Sequence, residues 1–408
     1  MQRTLSLLAD GHHLTCNGFS MNMGTMSLPH TSSGINLQQE FPLLDSIHYL
    51  NHAAVSPWPA RTLDAVTDFA QENATQGSKH YLQWINTETT LRGQLQQLIN
   101  ARSVNEIALL KNTSEALSVV AFGLPWQNGD NIVSIKGEFP SNRVVWQALK
   151  PKGVELRLAD IDDACPEENL LKLVDEHTRL ITVSSVQYAS GFQLDLARIG
   201  AFCKKNNILF CVDAIQAVGA LQFDVQAIQA DFVMADGHKW MLGPEGLAFF
   251  YCREELLEQL TLHQYGWHMT NTFTDFDNDE WQPVNTARRF ECGSPNMLGI
   301  HALSASLSVL LAFGMENVEA RILENTRYLF AQINAAEQLM LLSNTTEGRY
   351  SGIVTFRHRT VDNDRLFSLL TEKGVMCAQR GGGIRFSPHF YTPKEKIRHA
   401  LNIAAQAS

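Results

Sequence analysis

Lys239 is the residue of this chain best placed to do chemistry. A strand-like run, Phe232-Val233-Met234-Ala235, leads through Asp236-Gly237-His238 into it. A glycine-proline turn (Gly243-Pro244) and a second apolar run, Leu247 to Tyr251, follow. An unpaired ammonium between two buried segments is costly, so an amine kept there is neutral part of the time, and a neutral buried amine is a nucleophile. Asp213 comes directly after another apolar run, Ile208 to Val212, with Gln216 one turn further on. The stretch Lys111-Asn112-Thr113-Ser114-Glu115 ends a short apolar run and opens a helix, with Asn112 and Glu115 at capping-box spacing. The N–H groups of that first turn, with the hydroxyls of Thr113 and Ser114, suit an anion such as phosphate. Phe139, after the run 131–135, brings an aromatic plane to the same rim.

Nucleophilic lysine, carboxylate, anion cradle and flat aromatic are together what pyridoxal 5'-phosphate requires. Its aldehyde takes a lysine as an imine, and its pyridine nitrogen needs a carboxylate to stay protonated, so that the ring acts as an electron sink. Each piece also has a plainer reading. Asp213 and Thr113-Ser114 can be simple helix caps, Phe139 can be core, and Lys239 can sit in a surface turn with its stem laid along apolar surface. Their shared position, each just after a strand-like run, favours the site.

The elements that must hold these residues alternate. Short β-rich runs fall at 131–135, 154–158, 180–184, 208–212, 231–235 and 247–251, with helical patterns at 114–123, 140–149, 167–176 and 195–206. Such alternation predicts a mostly parallel sheet with helices on both faces, which binds ligands off the carboxyl ends of its strands. From about residue 300 the texture changes: a long amphipathic stretch over 298–335, strands near 352–357 and 383–386, and a closing helix near 393–405. The expected organisation is a large cofactor-binding domain over 61–297 and a small α+β domain over 298–408, which the segment 37–60 joins. Residues 1–36, rich in Met, Gly and Ser and without periodicity, read as a disordered tail or a mis-called start.

Composition narrows the function classes. The 408 residues carry a net charge of -10 and form no lysine/arginine cluster, which argues against a nucleic-acid surface. Seven cysteines are scattered with no C-x-x-C pair, as expected of a cytoplasmic protein. No apolar run is long enough to span a membrane. No G-x-G-x-x-G follows a first strand, against a dinucleotide-binding fold, and no metal site is expected.

The segment from Val212-Asp213-Ala214-Ile215-Gln216 through Gly237-His238-Lys239-Trp240 to Tyr251 resembles the class V aminotransferase family of fold type I pyridoxal phosphate enzymes. Cysteine desulfurases, selenocysteine lyases, isopenicillin N epimerase and kynureninase belong to that group. The resemblance runs from about residue 45 to 405. It implies an α/β fold, with a large domain on a mostly parallel seven-stranded sheet and a small α+β C-terminal domain. It implies Lys239 as the imine-forming lysine, Asp213 at the pyridine nitrogen, Gln216 and Gln187 at the ring hydroxyl, His238, Thr113 and Ser114 at the phosphate, and Phe139 stacked on the ring. Two further segments fit. Arg289-Phe290-Glu291-Cys292-Gly293-Ser294 resembles a loop that hands a hydroxyl, here that of Ser294, to the phosphate of a neighbouring subunit, which implies a homodimer. Arg380 to Pro388 resembles the signature in which Arg385 clamps the substrate α-carboxylate, and Asn51 and His52 stand where the family faces its substrate.

Two positions depart from the desulfurase pattern. Asp236 replaces a phosphate-binding serine. Arg380 is followed by Gly381-Gly382-Gly383, where desulfurases carry their persulfide cysteine, and Cys377, inside the apolar run 375–378, reads as core. The resemblance therefore implies an enzyme that takes a small or sulfur-bearing L-amino acid to a Cα carbanion, with Lys239 as base. It would be a C–S lyase by β-elimination or an aminotransferase. An epimerase of the isopenicillin N type and a non-catalytic binding protein that keeps the fold are the alternatives.

Overall fold

The computed structural model describes residues 34–161, 165–272 and 280–408. In chain order its regular elements are α1 (Leu37–Glu40), β1 (His48–Tyr49), α2 (Ala60–Gln76), α3 (Tyr81–Ile99), β2 (Ile107–Leu110), α4 (Thr113–Gly123), β3 (Asn131–Ile135), α5 (Ser141–Gln147), β4 (Glu155–Ala159), α6 (Pro166–Leu171), β5 (Thr178–Ser184), α7 (Leu196–Asn206), β6 (Leu209–Asp213), β7 (Phe232–Asp236) and β8 (Ala248–Cys252). There follow α8 (Met297–Phe313), α9 (Met315–Ala335), β9 (Leu339–Leu341), β10 (Val354–His358), α10 (Asn363–Glu372), β11 (Val375–Met376), β12 (Ala378–Arg380), β13 (Gly383–Phe386) and α11 (Lys394–Ala405).

A seven-stranded sheet in the order β2-β8-β7-β6-β5-β3-β4 forms the centre, and β8 alone runs against its neighbours. The β6 and β7 runs are covered on both faces, which is why they read as unbroken apolar segments rather than alternating ones. One apolar cluster (Val212, Val233, Phe249) lies on one face of the sheet and a second (Cys211, Phe232, Phe250) on the other. A third cluster, with Leu50, Phe356 and Phe386 among its members, packs around the four-stranded antiparallel sheet β12-β13-β10-β9.

The expected amphipathic stretch over 298–335 is two helices. Gly314, at φ 86°, ends α8, and α9 leaves at 84° to it. Most of α8 is buried, against α2, α3 and the first cluster, so its residues show no polar face. Near the amino-terminal end, β1 pairs in parallel with β11, and Asn51 bridges Ser387. The chain ahead of the large sheet is thereby stitched to the small one.

Candidate active site

Parallel pairing brings the carboxyl ends of β3, β5, β6 and β7 to one edge of the central sheet. Lys239 lies there, in the loop from β7 to β8. That loop is closed by hydrogen bonds from Gly237 N to Leu247 O (2.9 Å), Gly243 N to Gly237 O (2.8 Å) and Leu242 N to Lys239 O (3.0 Å). The next residue, Trp240, is buried and acts as the loop's anchor: its Nε1 donates to Gln216 Oε1 (2.9 Å), and its carbonyl contacts His389 Nε2 (3.0 Å). Gly219, at φ +92°, lets the loop after β6 press on that carbonyl, since a Cβ there would stand 2.4 Å from Trp240 O.

Charges crowd around this loop with few partners. Lys239 is 8% exposed. Burial, opposed by Asp213 and Asp236 and reinforced by Arg385, lowers its amine to about 8. Asp213, which ends β6, is pushed up to about 6 by burial, against a hydrogen bond from Ile215 N (3.1 Å) and the pull of Lys239. Asp236, which ends β7, also reaches about 6 through burial, although its Oδ2 accepts from Thr113 N at 3.2 Å. Beneath them Glu138 is fully buried and raised to about 7, even though Ser184 N (2.6 Å) and Ser184 Oγ both donate to it. Two buried acids, Asp213 and Asp236, thus face one buried amine, and a third, Glu138, lies close enough to Asp213 to feel its charge, an arrangement that is expensive in a resting protein and common in functional sites.

Arg385, on β13, completes the set. It is 3% exposed, and burial lowers its guanidinium to about 10. Nη1 donates to Tyr188 O (2.7 Å), Nε has no partner, and no carboxylate of the described residues pairs with it. Tyr188 meets Phe139 edge-on at 5.3 Å, and Phe139, 40% exposed, holds its ring centroid 5.5 Å from Lys239 Nζ.

The remaining candidates divide. His238 is lowered to about 4 by burial and by Lys239, and its Nδ1 is buried without a partner. Asn51 likewise has a buried Oδ1 without one. Ser114 is exposed and donates to Ser141 Oγ (2.9 Å). Two amides are spent on the scaffold. Gln216 Nε2 donates to Ala53 O (3.0 Å), and its oxygen is taken by Trp240. Gln187 Nε2 donates to Gly137 O (2.7 Å), while its oxygen accepts from the Ala189 and Ser190 amides. The expectation that His52 faces a substrate is corrected. Its ring is wholly buried, with Nδ1 2.8 Å from Ser387 O and Nε2 2.7 Å from the Tyr391 hydroxyl, so both nitrogens are committed and neither is open to a ligand. Ser294 is exposed and forms no hydrogen bond among the described residues. Cys377 is core, its thiol pushed up to about 12 by burial. Sequence reading passed over Glu138, Tyr188 and His389. An acid just after the strand-like run 131–135, between Gly137 and Phe139, is the available signal for the first; the other two act through backbone contacts that residue type does not reveal.

The residues present fit pyridoxal phosphate. A neutralisable lysine, a carboxylate at the end of the adjacent strand, an aromatic plane over the lysine and the start of α4 converge. Five buried polar atoms of the candidate site, Asp236 Oδ1, Thr113 Oγ1, His238 Nδ1, Asn51 Oδ1 and Arg385 Nε, await partners. Buried polar groups are ordinarily paired, so such a group of orphans indicates a ligand.

Fold and site together define a doubly wound α/β protein with a buried lysine and a buried, carboxylate-free arginine at the strand ends. The chain belongs to the aminotransferase class V family, whose model matches residues 48–399. Among its relatives, the cysteine desulfurase of Shigella sonnei is 31% identical over 329 residues, covering 76% of this chain and 80% of that one. The uncharacterized aminotransferase YcbU of Bacillus subtilis is 30% identical over 370 residues, covering 90% and 97%. The solved structure of the cystine C–S lyase C-DES with its product cysteine persulfide superposes with a TM-score of 0.82 at 24% identity, covering 90% of this chain and all of that one. The protein is a fold type I enzyme dependent on pyridoxal phosphate.

Proposed function

We propose that the protein cleaves the C–S bond of a small sulfur-bearing L-amino acid, cysteine or its disulfide, and releases the sulfur directly into its product. Arg385 carries this reading. A buried guanidinium with no carboxylate partner, close enough to lower the Lys239 amine, is a receptor for an α-carboxylate, and it leaves the substrate's amino group beside the lysine. When bound, pyridoxal phosphate supplies the electron sink that acidifies the Cα–H bond and lets a β-substituent leave. The chain does the rest. Asp213 would hold a negative charge at the ring nitrogen, Phe139 would lie over the ring, and Nζ of Lys239 would take the Cα proton.

Sulfur transfer to an enzyme thiol is not part of this proposal, because Cys377 is a core residue and a glycine triplet stands where a reactive cysteine would be needed. Incubation with L-cysteine and L-cystine, followed by product analysis, tests it. Pyruvate, ammonia and sulfide or a persulfide are expected, and activity should survive Cys377→Ser. Alanine as the product would show a desulfurase, and an aminated cofactor with a keto acid would show a transaminase.

The site is proposed to be completed by a second copy of the chain. The exposed Ser294 hydroxyl and the exposed rings of Tyr265, Trp267 and Trp281 belong to the segment before α8 that would reach across. A species that sediments as a monomer with full cofactor content would exclude the shared site.

A further inference from the structure

Asp236 occupies a place where a negative charge is out of keeping. Its Oδ2 accepts from the Thr113 N–H, one of the free donors at the start of α4, an 11-residue helix whose first turn attracts anions. Its Oδ1 is buried without a hydrogen-bond partner, and the side chain as a whole is 10% exposed. His238 Nδ1, also without a partner, lies 3.9 Å from that oxygen. A phosphate drawn to this helix would meet a carboxylate already seated on it. Two full charges of one sign in a buried site do not both persist, and the usual resolution is one shared proton.

We propose that Asp236 binds the cofactor phosphate as a carboxylic acid, keeping Oδ2 on the Thr113 N–H and donating a proton from Oδ1 to a phosphate oxygen. The inference rests on the reading of the site as one for pyridoxal phosphate and adds how the phosphate is recognised. The proton is taken from solvent as the cofactor binds, and no bond to phosphorus changes. The groups that face Asp236 are consistent with this. Thr113 and Lys239 favour its charged form, Glu245 and Asp213 oppose it, and His238 is held neutral by burial and so gives no compensating charge. Burial already brings the carboxyl to about 6 before any phosphate arrives, and a dianion beside it can only raise it further.

The test compares apoprotein and its Asp236→Asn variant, which keeps an acceptor for Thr113 and a donor for phosphate but carries no titrating proton. Dissociation constants for pyridoxal phosphate are measured between pH 6.5 and 8.5, with pyridoxal, which lacks the phosphate, as control. For the native chain, affinity should fall relative to the variant by up to about tenfold per pH unit, the signature of one proton taken up on binding. Pyridoxal should show no such difference. The phosphorus resonance of the bound cofactor should lie toward the monoanion position in the native protein and at the dianion position in the variant. Asp236→Ser, a second route to removing the proton, should match Asp236→Asn. Parallel pH profiles with an unchanged phosphorus resonance would overturn the proposal and mean that the carboxylate turns away. Failure of the native apoprotein to bind either compound would instead overturn the cofactor reading, and this inference with it.

Discussion

Two arginines largely withdrawn from solvent have opposite surroundings in this molecule. Arg92, on α3, is held by four short contacts: Nη1 and Nη2 to the two oxygens of Glu291 (2.7 Å each), Nη2 to Glu88 Oε1 (2.6 Å) and Nη1 to Ile107 O (2.8 Å). Its charge is raised further beyond titration, burial being outweighed by the two glutamates. The cluster of Glu88, His268 and Glu291 offers donor atoms within 4.8 Å of one another, as a metal site would, yet the cation it encloses is Arg92. Arg385 is buried more deeply, bonds one carbonyl, and faces another cationic side chain, Lys239, rather than an acid. A buried cation with its counter-ions in place is architecture. One without them, beside a buried amine, is what the proposed function takes as the receptor for a substrate carboxylate.

The contrast can be broken at several points. Lys239→Ala should have the largest effect: loss of the long-wavelength absorption of lysine-held cofactor and of all turnover. A borohydride-reducible adduct in the variant would show that another amine does the work. Arg92→Met should cost about 3–5 kcal/mol of stability, since it strands Glu88 and Glu291 without a cation. A melting curve unchanged by this substitution would refute the structural role. Arg385→Met should lower kcat/KM by about 2–3 kcal/mol, the loss of a charge-assisted pair, while leaving stability equal or improved, because no acid is stranded. A fall in stability comparable to that of Arg92→Met would erase the distinction.

The smallest effect sharpens the electrostatic side. Glu138 has a folded value near 7, above that of an unfolded glutamate, so its favourable contribution is complete at low pH and is lost as pH rises through about 7. Glu138→Gln copies the protonated form, its amide donating where the carboxyl O–H would. It should leave the melting temperature of the apoprotein unchanged at pH 5 and raise stability by about 1–2 kcal/mol at pH 8. Equal melting curves at both pH values would show that the carboxyl does not titrate there.

Much of this was legible in the chain. The six β-rich runs between 131 and 251 are all strands of the central sheet; five are buried along nearly their whole length, as strands covered on both faces need apolar sequence, whereas the edge strand β4 carries an exposed Glu155 and a half-buried Arg157. Lys239, Asp213, Phe139 and Thr113 could be found because a strand end followed by a polar or aromatic residue is a local pattern. What sequence concealed is pairwise. The family resemblance places His52 at the substrate, whereas Ser387 and Tyr391, more than 300 positions away, consume both its nitrogens. The break between α8 and α9 at Gly314 is hidden in the sequence because the apolar α8 runs without a proline or polar loop into the amphipathic α9.

The placement of Lys239 on the large sheet and Arg385 on the small one makes the seam between the sheets a caliper. Arg385 already grips Tyr188 across that seam, and Gly191, at φ +76°, lies so near Ile353 that a Cβ would stand 2.3 Å from its carbonyl oxygen. The gap between the gripping guanidinium and the reactive amine is therefore set by how the two sheets abut. Changing which amino acids the enzyme accepts by length would call for remodelling that seam, whereas changing the side-chain chemistry it tolerates would need only the residues at its mouth.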